Sequence, residues 1–151
     1  MMGKTICYIA TYLAEALITY IYAGTVFVKK RRSWSMIAIY ILLYTVLYSC
    51  FDVGNVILNA VLYFLGMYLL LFLNYECKSK TAFLHGAFLS SMLLLTEFLA
   101  ILLINIVTND VGAYQDSLSV LIAMAVVSKL LYLAVMVISV RFLPQRHMRL
   151  V

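Results

Sequence analysis

The stretch 118–143 is apolar apart from Lys129 near its middle and Arg141 near its end. An ammonium at the centre of a bilayer costs roughly 2.5–3.5 kcal/mol on insertion scales, and more by simulation. Such a group must face a bundle interior, water or a counter-charge. Only two carboxylates interrupt other apolar runs, Glu15 and Glu97. The three are read together as one intramembrane polar cluster.

The rest of the composition agrees with a membrane setting. The chain is 66% apolar and 11% charged, with a mean hydropathy of +1.06, whereas soluble domains carry about 25% charged residues. Backbone groups in lipid must be satisfied internally, so spans are helices or a closed barrel. Barrel strands are about 10 residues long and alternate in polarity. The runs here are longer and continuously apolar. They predict an all-α, five-helix transmembrane bundle over 1–151, a single domain, with spans at 5–28, 33–50, 56–74, 81–107 and 118–143. The first run continues past Ala14-Glu15-Ala16, which favours a helix over a cleaved signal peptide. Phe51-Asp52-Val53-Gly54-Asn55 has turn composition.

The charges give an orientation. Lys29, Lys30, Arg31, Arg32, Lys78, Lys80, Arg141, Arg146 and Arg149 fall at one face, and Lys4 falls alone among the basic residues at the other, with Asp52, Asp110 and Asp116. The positive-inside rule then predicts an outside N-terminus, a cytoplasmic C-terminus and a multi-pass cell-membrane protein. The net charge of +5 sits at helix ends rather than on a basic domain, so no nucleic-acid partner is expected. The bilayer itself is the expected partner.

Counted from the outer ends, Glu15, Glu97 and Lys129 each lie about ten or eleven residues in, roughly 15 Å deep and near mid-bilayer. Tyr8, Tyr12, Glu15, Thr19 and Tyr22 form one stripe of the first span. Gly86, Ser90, Leu93 and Glu97 share a face of the fourth, whose small residues would let a neighbour approach. Lys129 shares a face with Ala125 and Tyr132. The first, fourth and fifth spans should pack with these stripes inward. Tyr12, Thr19, Ser90 and Tyr132 are candidates to line the cluster. Two carboxylates against one ammonium leave an excess negative charge, and one carboxyl is expected to share or hold a proton. The bland alternative is a salt bridge that fixes helix register. Asn59 and Asn105 read as interhelical hydrogen-bonding residues, and Tyr40, Tyr44 and Tyr48 as a packing stripe.

Enzyme signatures are missing from the sequence. Cys77 and His85 could form a thiolate–base pair, but membrane cysteine peptidases carry His before Cys, the reverse of this order. Cys7, Cys50 and Cys77 have no paired spacing. No metal-ligand spacing and no phosphate-binding loop occur, so no catalysis, metal or cofactor is expected.

Three stretches, Tyr12-Leu13-Ala14-Glu15-Ala16-Leu17-Ile18, Leu94-Leu95-Thr96-Glu97 and Ser128-Lys129-Leu130-Leu131, give the chain a resemblance to a known family. It resembles the membrane-spanning N-terminal input region of GHKL-type sensor histidine kinases, the Agr-like peptide receptors among them. The resemblance implies a sensor of a two-component-type signalling system. Such a sensor works as a homodimer, reads an extracellular or membrane-borne signal, often a peptide ligand, and relays it to a kinase or response-regulator partner. In that family the last span continues into a dimerising helix and a kinase domain. Here neither follows Leu143, and His147 does not sit in a phosphoacceptor box. The chain is expected to be an isolated or truncated input domain, or a stand-alone relative. The rival reading is a small ion- or proton-coupled transporter or transporter subunit, because mid-bilayer carboxylates can carry ions. An assembly partner of other membrane proteins is a third.

Overall fold

The structure is a computed structural model, which describes residues 2–30, 33–51, 54–110 and 113–143. Arg31, Arg32, Asp52, Pro144, the tail with Arg146, His147 and Arg149, and the side chain of Cys50 lie outside what it describes. The order is α1 (Met2–Val26), α2 (Ser33–Phe51), α3 (Val56–Asn74), α4 (Ser79–Thr108), α5 (Ala113–Asp116) and α6 (Leu118–Phe142). Among the described residues every regular element is a helix apart from one isolated β-bridge. Helices α1, α3, α4 and α6 are long and apolar enough to cross a membrane. The apolar stretch of α2, Trp34–Ser49, is shorter. The one-turn α5 lies in a segment expected to be loop.

Local chemistry sets the ends. Gly54 has φ +74, a conformation that suits glycine. Asn55 then caps α3 by accepting from the Leu58 amide at 3.0 Å. Asn109 closes α4 in the left-handed region.

The long helices form a closed ring in the order α1, α2, α3, α4, α6, each packed on the next and α6 packed back on α1. Helix α6 thus stands between α1 and α4. Gly3 lies against Leu118, so α1 and α6 start at the same end and run parallel. Glu15 and Lys129 are each about eleven or twelve residues further along, which puts them at one level. Gly86 of α4 faces α3: a Cβ there would sit 3.1 Å from the Tyr68 nitrogen and 3.2 Å from its Cα. The neighbour that Gly86 admits is therefore α3, while Glu97 of the same stripe meets α6.

The two ends of the ring differ. At the basic end, Lys29 bridges to Tyr75. The Lys30 amide donates to the Asn74 carbonyl at 2.8 Å, and the Glu76 amide to the Val28 carbonyl at 2.9 Å. These bonds zip the α1–α2 and α3–α4 loops together. Burial continues to that end, through Phe27, Met36, Asn74, Tyr75 and Ala82. Toward the other end it stops short. Among the described residues, α1 has no buried side chain before Glu15, and α3 none before Tyr63. Tyr8, Tyr12, Asn59 and Ala125 lie on the same stripes as buried groups but are only half-buried. Beyond the level of Lys129, Ala100 and Leu121 are among the few that remain buried. The ring is sealed at its basic end and open at the opposite one.

The Gly86 contact is testable. Gly86→Ala pushes on backbone, so it should destabilise by about 1–3 kcal/mol. Gly24→Ala meets only the Lys29 Cε at 3.7 Å and should be neutral or mildly stabilising. Thermal unfolding of both variants in one detergent makes the comparison.

Candidate functional site

Where the buried interior begins, Lys129 Nζ of α6 lies 2.5 Å from Glu15 Oε1 of α1 and 2.8 Å from Glu97 Oε1 of α4. One ammonium therefore ties its own helix to both neighbours. The helices bring these residues together because the two positions on the parallel pair are level. Residue 97 of α4 meets them from the opposite direction.

The three are unequally covered. The side chains of Glu15 and Lys129 are 4% and 9% exposed, that of Glu97 40%. Glu15 has a further donor: the Tyr63 hydroxyl bonds its Oε2 at 3.3 Å across the ring from α3. Glu97 makes no hydrogen bond beyond the one to Lys129 among the described residues. Two carboxylates and one ammonium thus sit where the buried interior begins, with Glu97 the least covered of the three.

Deeper in, the interior is polar and hydroxyl-rich. The Tyr44 and Thr19 hydroxyls are 3.1 Å apart. The Tyr132 hydroxyl donates to the Leu89 carbonyl at 3.5 Å. Tyr22 and His85 Nδ1 are 2.8 Å apart, and Tyr40 and Tyr75 hydroxyls 3.2 Å. Buried hydroxyls need partners, and here these cross-ring pairs supply them.

Of the residues expected to line the cluster, Thr19 and Tyr132 are buried in this column. Tyr12 lies above Glu15, its ring edge-on to Tyr44 at 6.3 Å and to Tyr48 at 5.9 Å. Ser90 is buried, and its hydroxyl has no hydrogen-bond partner among the described residues. The Asn59 and Asn105 oxygens are likewise buried and unpartnered, so the expected interhelical bonds do not form through them. Both residues lie toward the open end. Tyr63 and His85 belong to the interior although no sequence pattern placed them there. Each sits beside other aromatic residues in an apolar run.

Cys77 and His85 do not pair. The thiol donates to the Leu71 carbonyl at 3.6 Å, while the imidazole is engaged by Tyr22 and stacked edge-on by Phe27 at 4.9 Å. Burial holds the Cys77 thiol above its ordinary range, partly offset by Lys30. The described residues contain no cluster of three or more His, Cys, Asp or Glu suited to a metal ion. Comparison with family models, curated proteins and solved structures gave no match.

Two outcomes follow from the unequal burial. Lys129→Met strands two carboxylates and should cost about 3–5 kcal/mol. Adding Glu97→Gln should restore part of this, and adding Glu15→Gln more, because Glu15 is the better buried partner. If neither double variant is more stable than the single in thermal unfolding, the three do not act as one charge cluster. In addition, a hydrophobic carbodiimide should modify Glu97 and spare Glu15, as read by peptide mass mapping.

Proposed function

We propose that the chain is a five-span membrane sensor domain, without catalysis of its own, that relays a signal arriving from outside through repacking of α6. The observation that carries this reading is Lys129 bonded to both Glu15 and Glu97 where the buried interior begins. A signal reaching Glu97 acts on the joint that holds the last helix.

The orientation rests on charge. Lys29, Lys30, Lys78, Lys80 and Arg141 lie at the sealed end; Lys4, Asp110 and Asp116 lie at the open one. By the positive-inside rule the sealed end is cytoplasmic and the open end faces out. The fifth span rests on connectivity. The loops after α1 and α3 pair with each other, so both helices finish at the same end and α2 must return across the bundle. Its 19 residues reach about 28 Å at 1.5 Å per residue. The likeness to the input region of GHKL-type sensor kinases supports the same reading. It adds a homodimer, a peptide-type signal and a downstream kinase or response regulator as proposals.

The test is a distance. With the native cysteines replaced by serine, spin labels at positions 29 and 141 report α6 relative to α1 at the sealed end. Glu97→Gln and Lys129→Met should shift that distribution by a few ångströms, as a two-state packing requires. Folded variants with an unchanged distribution would leave the cluster a register-fixing salt bridge and remove the sensor mechanism. Membrane-impermeant maleimide should reach a cysteine at 110 from outside and one at 80 only from inside.

The half-exposed Glu97 also suits an ion- or proton-coupled transporter. Proton-dependent uptake by proteoliposomes that is lost in Glu97→Gln would favour that reading instead.

A further inference from the structure

We infer that the open end is a binding site for an organic cation with an apolar body, seated on the uncovered edge of Glu97. This rests on the proposed orientation, which makes the open end accessible from outside, and deepens the sensor reading by naming the chemistry of its signal.

Charge is the first support. Lys129 is the only basic residue within the long helices near this level, and it is already shared between two carboxylates. With both carboxylates ionised, the cluster carries one negative charge more than it can neutralise. Glu97 keeps one oxygen without a hydrogen bond among the described residues, on a side chain that is 40% exposed. A carboxylate edge left uncovered among apolar helices is costly, and a positive charge relieves that cost best.

The second support is a group of aromatic rings on α1 and α2, one turn above Glu15, the other carboxylate of the cluster. Tyr12 lies one turn from Glu15 toward the open end, and its ring meets those of Tyr44 and Tyr48 edge-on. Aromatic faces beside a carboxylate bind organic ammonium-type groups through cation–π attraction in addition to the ion pair. Apolar side chains such as Ile101 and Ile104, half-buried on the same side of α4 as Glu97, suit the rest of such a molecule.

A third, separate feature is polar atoms with no partner. Ser90, 6% exposed, lies about two turns below Glu97 on the same face of α4, and its hydroxyl is unpartnered. Asn59, one turn above Tyr63, has a buried oxygen that is also unpartnered. Buried polar atoms without partners call for an occupant of the interior. At the rim, exposed Asp110 and Asp116 outweigh Lys4, which is held by the Gln115 carbonyl. The entrance therefore favours the approach of a cation.

The test uses the full chain in lipid nanodiscs and two probes of matched shape and opposite charge, tetraphenylphosphonium and tetraphenylborate. Tetraphenylphosphonium should bind saturably above empty nanodiscs, and tetraphenylborate should not. Glu97→Gln should weaken tetraphenylphosphonium binding at least tenfold, and Glu97→Asp should restore part of it. Should Glu97→Gln not fold, the wild-type chain decides: tetraphenylphosphonium should protect Glu97 from carbodiimide, and tetraphenylborate should not.

The inference is overturned by absent saturable binding, by equal binding of the two probes, or by carbodiimide labelling that the cation does not reduce. A Glu97 that carbodiimide never reaches, as when a second copy covers it, overturns it too. The sensor reading fails separately. Saturable binding with no change in the 29–141 distance keeps the cation site and removes the sensor role. Lost binding leaves that role to the distance measured in the cluster variants.

Discussion

Lys129 is the constraint on which the ring depends. In a lipid setting the apolar surface of one helix gains little by meeting that of another, so association rests on close packing and polar contacts. A lone ammonium within apolar helices demands a counter-charge. Here it finds two, on helices that are not strong packing neighbours. That geometry places α6 between α1 and α4 and closes a ring that α2 and α3 complete. Replacing the ammonium by an apolar group would remove the connection and leave two acids behind, so the element is hard to lose by halves.

The hydroxyl column extends the same logic toward the basic end. Tyr63 reaches Glu15 across the ring, and Tyr22 reaches His85 across it in another direction. Each bond joins helices that are not immediate neighbours. Together with the backbone bonds between the two loops, they make the sealed end the stiff part of the molecule. Unpartnered buried polar atoms occur toward both ends: the Asn59 and Asn105 oxygens at the open one and the Asn74 side chain at the sealed one.

Part of this arrangement was legible in the sequence. The cost of an intramembrane charge is large enough that Glu15, Glu97 and Lys129 had to be considered together, and helical periodicity put Thr19 and Tyr132 on the inward faces. The bundle's helices were legible from their apolar runs, which match α1, α2, α3, α4 and α6 closely. Tyr63 was not legible, because a single tyrosine in an apolar helix signals packing as readily as a hydrogen bond. The partner of the Gly86 face was also hidden. A small face shows that something comes close, and only the ring order shows that it is α3. The exposure of Glu97 was beyond periodicity altogether, since a repeat assigns a face but not the distance to the neighbouring helix.

That exposure matters for how a shared cation can behave as a switch. The two ion pairs of Lys129 are unlike: the contact with Glu15 is short and enclosed, that with Glu97 longer and half-open. A competitor for Glu97 leaves Lys129 with one partner, on α1, which Tyr63 also holds from the far side. The balance of forces on α6 then tips from α4 toward α1. A competitor that touched all three residues equally would move nothing, since only a difference in affinity between two packings shifts their populations. Under the sensor reading, the unequal covering of two otherwise similar carboxylates is therefore what gives the cluster a direction of response.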